Sequence, residues 1–193
     1  MICYLIRHGK DDETVRGGWS QHPLCEEGIA QANKLAEYIR ANIGRLAIKH
    51  IFASDLPRAM QTAEAIGKRI DLPAVACPQF REVNNGELAG MKHDVALEKY
   101  PGLFWNQMHW EQCYPEGESP RQFYERVAAA WERLTEAIRC QNENVLLVTH
   151  GGVIHVILSI VADLPYKNTE RQRRIGYTEM IALSFDGNQW TEV

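Results

Sequence analysis

Apolar positions along the chain alternate between short continuous runs and stripes of helical spacing. Ile2–Ile6 is an apolar run of strand length that stops at Arg7. Ile29, Ala32, Leu35–Ala36, Ile39 and Ile43 then recur three and four residues apart, which places them on one face of a helix. Ile51–Ala53 reads as a short strand. Ser54-Asp55 offer an N-cap to a helix that carries Pro57 in its first turn, where a missing N–H costs nothing. Ala59, Ala63, Ile66 and Ile70 line that helix, and Ala74–Cys77 reads as a third strand. The segment from Gly90 to Gly117 breaks the pattern. Its aromatics (Tyr100, Phe104, Trp105, Trp110, Tyr114) have no clean period, so it reads as a partly helical excursion forming a lid over one end of the sheet. Ser119-Pro120-Arg121-Gln122 has the form of a capping box with proline at the first helical position. Phe123, Val127, Ala130–Trp131, Leu134 and Ile138 continue as one stripe. Val145–Thr149 is a buried strand, Val153–Ala162 an apolar helix and Met180–Phe185 a final strand. Strands alternating with helices predict a single domain over residues 1–193, an α/β three-layer sandwich with a mainly parallel central sheet and helices on both faces.

Composition narrows the function without naming it. With 45% hydrophobic and 24% charged residues, the chain is an ordinary globular sequence rather than a disordered or fibrous one. A formal net charge of −4 argues against broad nucleic-acid binding, which needs a basic face, but leaves room for a small phosphorylated ligand in a local basic pocket. No apolar run reaches the ~20 residues that span a bilayer, so no membrane partner is expected. Met1–Ile6 leads straight into Arg7 with neither a basic leader nor a small-residue cleavage site, which does not read as a signal peptide. The five cysteines are scattered, odd in number and form no C-x-x-C pair, the usage of a cytoplasmic protein with reduced thiols.

The candidate chemistry sits where strands end. His8 follows the first strand and His150 the Val145–Thr149 strand, and ligands in parallel sheets bind outside the carboxyl ends of strands. Each histidine is followed by glycine (Gly9; Gly151-Gly152), which permits close backbone approach, and the Gly-Gly step opens a helix whose free N–H groups attract an anion. Arg7 and Arg58 fall at strand ends as well, and a guanidinium offers the planar paired donors that suit phosphate oxygens. Taken singly, a histidine after a strand is a structural residue, Arg58 a surface cation and Glu82 a solvated loop acid. Together they make a basic pocket in an acidic protein, as phosphoryl transfer requires.

These residues also carry a resemblance. Arg7-His8-Gly9 behind a short apolar strand resembles the signature of the histidine phosphatase superfamily, the phosphoglycerate-mutase-like fold. Gly18-Trp19, Pro23-Leu24 and Glu27-Gly28 with Gln31-Ala32 are similar to that family's first loop and helix. Ser54–Ala63, Phe80-Arg81-Glu82 with Gly86 and Gly90, Gly117-Glu118-Ser119 with Arg126-Val127, and Val148–Val153 resemble its later segments in the family order. The resemblance implies that His8 is the nucleophile, that Arg7, Arg58 and His150 hold the phosphoryl oxygens, and that Glu82 is the general acid and base, a role that partial desolvation would favour. The first loop departs from the pattern. Lys10-Asp11-Asp12-Glu13-Thr14 replace an acid-then-threonine step, the loop is shorter, and Arg16 stands in for the loop arginine as a phosphate contact alongside Gly151. Asp11, Asp12 and Glu13 read as solvated loop acids. No H-E-x-x-H or clustered Asp/His pattern is present, so neither metal nor cofactor is expected. The expected function is metal-independent hydrolysis of a small phosphorylated metabolite through phosphohistidine, by a monomer or homodimer. A phosphoglycerate-type mutase is the first alternative. A phospho-ligand sensor or phosphohistidine reader using the same pocket is the non-enzymatic one.

Overall fold

In a computed structural model, residues 1–170 and 173–193 are described. The elements run β1 (Ile2–Arg7), α1 (Glu26–Ala41), α2 (Ile43–Leu46), β2 (Ile48–Ala53), α3 (Pro57–Ile70), β3 (Ala74–Ala76), α4 (His93–Lys99), α5 (Pro120–Gln141), β4 (Asn144–Thr149), α6 (Gly151–Val161), β5 (Met180–Phe185) and β6 (Trp190–Glu192). The sheet order is β3-β2-β4-β1-β5-β6. β3, β2, β4 and β1 are mutually parallel, whereas β5 and β6 are antiparallel additions at one edge.

The alternation of the central strands explains why both sheet faces are covered. Tyr4 and Ile6 of β1, with Leu146 and Val148 of β4, join the core beneath α1 and α3. Cys3 and Leu5, with Val145 and Leu147, join the core beneath α5 and α6. Strands apolar on both faces belong to a sheet sandwiched between helical layers. α1 and α3 pack against each other on one face, α5 and α6 on the other.

Several local expectations shift. The helix expected to run through Ile43 ends at Ala41, because Asn42 breaks it and Ile43 begins the short α2. Ile29, on the expected apolar face, is 48% exposed. Ser54-Asp55 do not cap α3. Its N-cap is Leu56 with no side-chain bond, because Ser54 is taken by His150 and Asp55 by Arg81. Ser119 and Gln122 do form the capping box with Pro120 in the first turn. Within residues 90–117, α4 is a regular helix. Met108 and Tyr114 form a small core with Leu88, and Trp105 stacks on Tyr114. Asn168 ties this segment down by donating to the carbonyls of Trp105 and Met108.

Candidate active site

Three neighbouring parallel strands end side by side, and that places the site. In the register, Arg7 of β1 lies opposite Thr149 of β4, and Ala53 of β2 opposite Val148. The next residues on the three strands are His8, His150 and Ser54. The His8 amide donates to the Thr149 carbonyl and the Ser54 amide to the Val148 carbonyl, so the sheet ladder continues into the site. The His8 and His150 rings end 5.0 Å apart between centroids.

Both imidazoles are buried, and both titrate well below the ordinary 6.5. For His8 and His150 alike the main cause is burial, with the Arg58 charge next; the backbone bond to Gly9 pulls His8 the other way. They are neutral at physiological pH, and their hydrogen bonds fix where the single proton sits. His8 Nδ1 lies 2.7 Å from the Gly9 carbonyl, which can only accept, so Nδ1 carries the proton. That leaves the Nε2 lone pair free, and it receives Arg58 Nε–H at 3.3 Å. His150 Nε2 lies 2.8 Å from Ser54 Oγ. The hydroxyl accepts from the Leu56 amide and, among the described residues, has no other acceptor for its own proton, so that proton goes to Nε2. The His150 proton is then on Nδ1, a buried donor with no partner. Arg7 Nε is a second buried donor without a partner. Unmet buried donors are costly unless something accepts from them, and both belong to residues beside His8: Arg7 precedes it in the chain and the His150 ring stands 5.0 Å away.

Arg58 is 2% exposed and held rigidly. Its terminal nitrogens donate to the Gly18 carbonyl at 2.7 Å and to the Ser20 carbonyl and hydroxyl at 3.2 and 3.3 Å. Gly18 has φ of +55°, and a Cβ there would fall 1.9 Å from Asn85 Oδ1, so only glycine delivers that carbonyl. Arg7 donates to the Ile175 carbonyl, and its guanidinium lies 3.9 Å over the Tyr177 ring.

Glu82 is set by two layers of contacts. Its Oε2 accepts from the Gly152 amide at 3.0 Å and Oε1 from the Val83 amide at 3.1 Å. Its backbone carbonyl accepts from Trp19 Nε1 at 2.7 Å and from Arg126 at 3.1 Å. Arg126, on α5, also bonds the Gln79 and Arg81 carbonyls and is gripped by the Glu118 carboxylate at 2.6 and 2.8 Å. The helix start at Gly151-Gly152, expected to attract the ligand anion, therefore gives the Gly152 N–H to Glu82.

Arg7, His8, Arg58 and Glu82 line one cavity of about 260 Å³. His150 is not among the lining residues; its ring stands 5.0 Å from that of His8. Gly151 sits against the Arg7 side chain, and a Cβ there would lie 3.8 Å from it. Arg16 is not among the cavity's lining residues; its guanidinium lies 4.9 Å from the Phe104 ring. Residues 90–117 contribute His93 to the lining.

The pattern of residue types missed five participants. Asp11 is no solvated loop acid: its side chain is 12% exposed and its Oδ2 lies 3.3 Å from Arg58 Nε. Tyr177, on the segment before β5, has its ring 5.8 Å from that of His8 and its hydroxyl on Glu13. Burial pushes its phenol up to about 12, so it is a neutral donor. Ser54 sets the His150 tautomer, and the Arg126–Glu118 pair braces the Glu82 loop. The last three fall inside segments whose family resemblance was visible in sequence; Tyr177 carried no signal.

The sequence profile of the histidine phosphatase superfamily (branch 1) matches residues 3–193. A probable phosphoglycerate mutase of Yersinia pestis (strain Pestoides F) is 33% identical over 196 residues, covering 97% of this chain and 86% of that protein. Among solved structures, a mycobacterial glucosyl-3-phosphoglycerate phosphatase superposes with a TM-score of 0.81 at 25% identity, over 100% of this chain and 96% of its own. The alpha-ribazole phosphatase of Shigella flexneri has a TM-score of 0.85 over 100% of this chain and 95% of its own; at 24% identity it speaks to the fold alone.

Proposed function

The chain belongs to the histidine phosphatase superfamily, and from that premise we propose that it is a phosphomonoesterase acting through a phosphohistidine on His8. The observation that carries the reading is the neutral, buried His8. Its Nε2 lone pair accepts from Arg58, and the neighbouring Arg7 and His150 carry unmet donors. Nε2 attacks phosphorus and the P–O bond to the leaving group breaks. Arg7, Arg58 and His150 Nδ1–H take the equatorial oxygens, on which charge spreads in the transition state. Glu82 gives its proton to the departing oxygen. It then takes one from the water that attacks phospho-His8, which restores His8 and Glu82 and releases inorganic phosphate.

The ligand is a small phosphorylated metabolite, in keeping with the cavity's volume. The mutase reading keeps one support, the name of the relative at 33% identity. The cavity's mouth favours hydrolysis instead. A phosphoglycerate carries a carboxylate beyond its phosphate, and among the described lining residues Arg7 and Arg58 are the only lysines or arginines. Both belong to the phosphoryl end, while Asp12 and Glu13, with side chains 42% and 56% exposed, stand at the mouth.

The test offers a panel of phosphate monoesters in EDTA. It also follows 3-phosphoglycerate with and without 2,3-bisphosphoglycerate, comparing phosphate release with isomer interconversion. Chelator-resistant release of phosphate is expected, because the two arginines supply the positive charge at the phosphoryl group. Fast interconversion with negligible release would replace the phosphatase reading by the mutase one.

A further inference from the structure

The residue least explained by this chemistry is Asp11. A carboxylate that lines an anion pocket and pairs with the pocket's deepest arginine works against the anion. Its place is nevertheless built. Asp11 bridges to Leu24 through the backbone, which holds the loop after Gly9 against the start of α1. Its carboxylate reaches Arg58 Nε at 3.3 Å.

The contacts of Arg58 make the conflict specific. The terminal nitrogens are engaged by Gly18 and Ser20. The single Nε hydrogen goes to His8 Nε2, and Asp11 Oδ2 stands 3.3 Å from the same nitrogen as its ion-pair partner. When a phosphoryl group docks on His8, Nε2 ceases to be an acceptor. A phosphoryl oxygen beside it claims the same hydrogen, and Asp11 is left facing an anion.

We propose that Asp11 takes up one proton when the phosphoryl group enters, and gives it back when phosphate leaves. Protonated, it turns from a competitor for Arg58 into an O–H donor to a phosphoryl oxygen. The proton comes from solvent and returns to it, so the net reaction is unchanged. The proposal rests on the phosphatase reading only in taking the phosphoryl group as the ligand.

The charges around Asp11 fit this role. Arg58 of α3 and Arg7 of β1 favour its ionised form, Glu13 of its own loop disfavours it, and the neutral Tyr177 faces it from the segment before β5. His8 and Glu82 share the cavity. Burial outweighs the arginines and already holds Asp11 above the ordinary carboxylate range, so the arriving anion pushes in a direction already begun. The sign follows. Anion binding is strongest below the pKa of Asp11 in the free protein. It weakens about tenfold per pH unit between that value and the higher one in the complex.

The experiment is calorimetric titration of sulfate, a dianion throughout, into the intact protein between pH 4 and 8. Two buffers of different ionisation enthalpy give the proton count, and p-nitrophenyl phosphate turnover is followed in parallel. The wild type is expected to take up about one proton per sulfate within this range. Asp11→Asn, a neutral donor of the same shape, should take up none, bind sulfate more tightly at pH 8 and keep its activity to higher pH. Uptake that persists in Asp11→Asn would assign the proton to His8 or His150 and overturn the proposal. So would a wild type that binds sulfate without a proton, or that binds none at all. If proton-coupled binding is found but no ester is hydrolysed, the phosphatase reading fails and the role of Asp11 stands.

Discussion

Gly152→Ala separates the placement of the proposed acid from the stability of the fold. A Cβ on residue 152 would lie 2.3 Å from Glu82 Oε1, 3.0 Å from Cδ and 3.2 Å from Oε2. Real Cβ atoms essentially never approach closer than 3.0 Å, so the carboxylate must move by at least the 0.7 Å difference. Its backbone cannot follow, because the Glu82 carbonyl is held by Trp19 and Arg126. The movement is therefore a side-chain rotation that swings the carboxyl away from the leaving oxygen. Proton transfer needs heavy atoms about 2.6–3.2 Å apart, and a misplacement near 1 Å costs up to about 10²-fold. Turnover of an alkyl phosphate should fall between about 10- and 10²-fold. The first-turnover burst of p-nitrophenolate, which departs without a proton, should survive. Alanine also suits the start of α6 better than glycine, by about 0.5–1 kcal/mol, so Tm should hold or rise. Gly151→Ala is the control: its Cβ would meet Arg7 at an ordinary 3.8 Å, and its loss should be far smaller. Alkyl phosphate turnover within twofold of wild type in Gly152→Ala would refute the placement of the acid at Gly152.

His8→Ala should abolish turnover without unfolding the protein, and quenching the wild type after labelled substrate should trap an acid-labile, base-stable phosphoenzyme. Equal rates for the two proteins would sink the nucleophile assignment. Glu82→Gln should slow alkyl phosphates about 10²–10⁴-fold more than p-nitrophenyl phosphate; equal losses on both would move the acid elsewhere. Stability should fall as pH drops below 6.5, because the unfolded chain protonates His8 and His150 there while the folded chain holds both neutral. Each contributes up to about 1.4 kcal/mol per pH unit until its lowered folded-state pKa is reached. Urea midpoints that do not change between pH 7.5 and 5.5 would contradict the neutral, buried pair.

The parts of the fold legible in sequence are those whose information is local and repeated. Leu5, Leu147 and their neighbours are apolar on both strand faces, and that pattern needs a helical layer on each side. The stripe from Phe123 to Ile138 is long enough to specify a helix without help, and Ser119 with Gln122 marks its start. β6 escaped because three residues at an edge show no alternation to read, and Trp190 is ordered by packing on Trp131 and Phe185. The bounds of α4, within a segment read only as partly helical, escaped for a related reason. The helix's one buried residue is Ala96, so it has no apolar stripe, and the small core of Leu88, Met108 and Tyr114 lies beside it in space rather than along it.

The site divides along the same line, with one instructive exception. Arg7, His8 and His150 were legible because each ends or follows a strand, and Arg58 because it lies in the first turn of the helix after one; a parallel sheet gathers strand ends automatically. Tyr177 reaches the same place from the opposite direction, on a chain that enters the sheet at that end as antiparallel β5. Nothing local announces such an arrival. The exception is the acidic side of the pocket. Asp11 and Ser54-Asp55 were visible, but their residue types fit two destinations each: a solvated loop acid or an ion pair, a helix cap or a site ligand. What decided between them is non-local. His150 and Arg81 offered Ser54 and Asp55 better partners than the amides of α3, and Arg58, already buried by Gly18 and Ser20, drew Asp11 inward. A short polar side chain takes whichever unmet donor the tertiary structure brings nearest. Asp11 therefore answers to the charge state of Arg58 and its ligand rather than to its own loop.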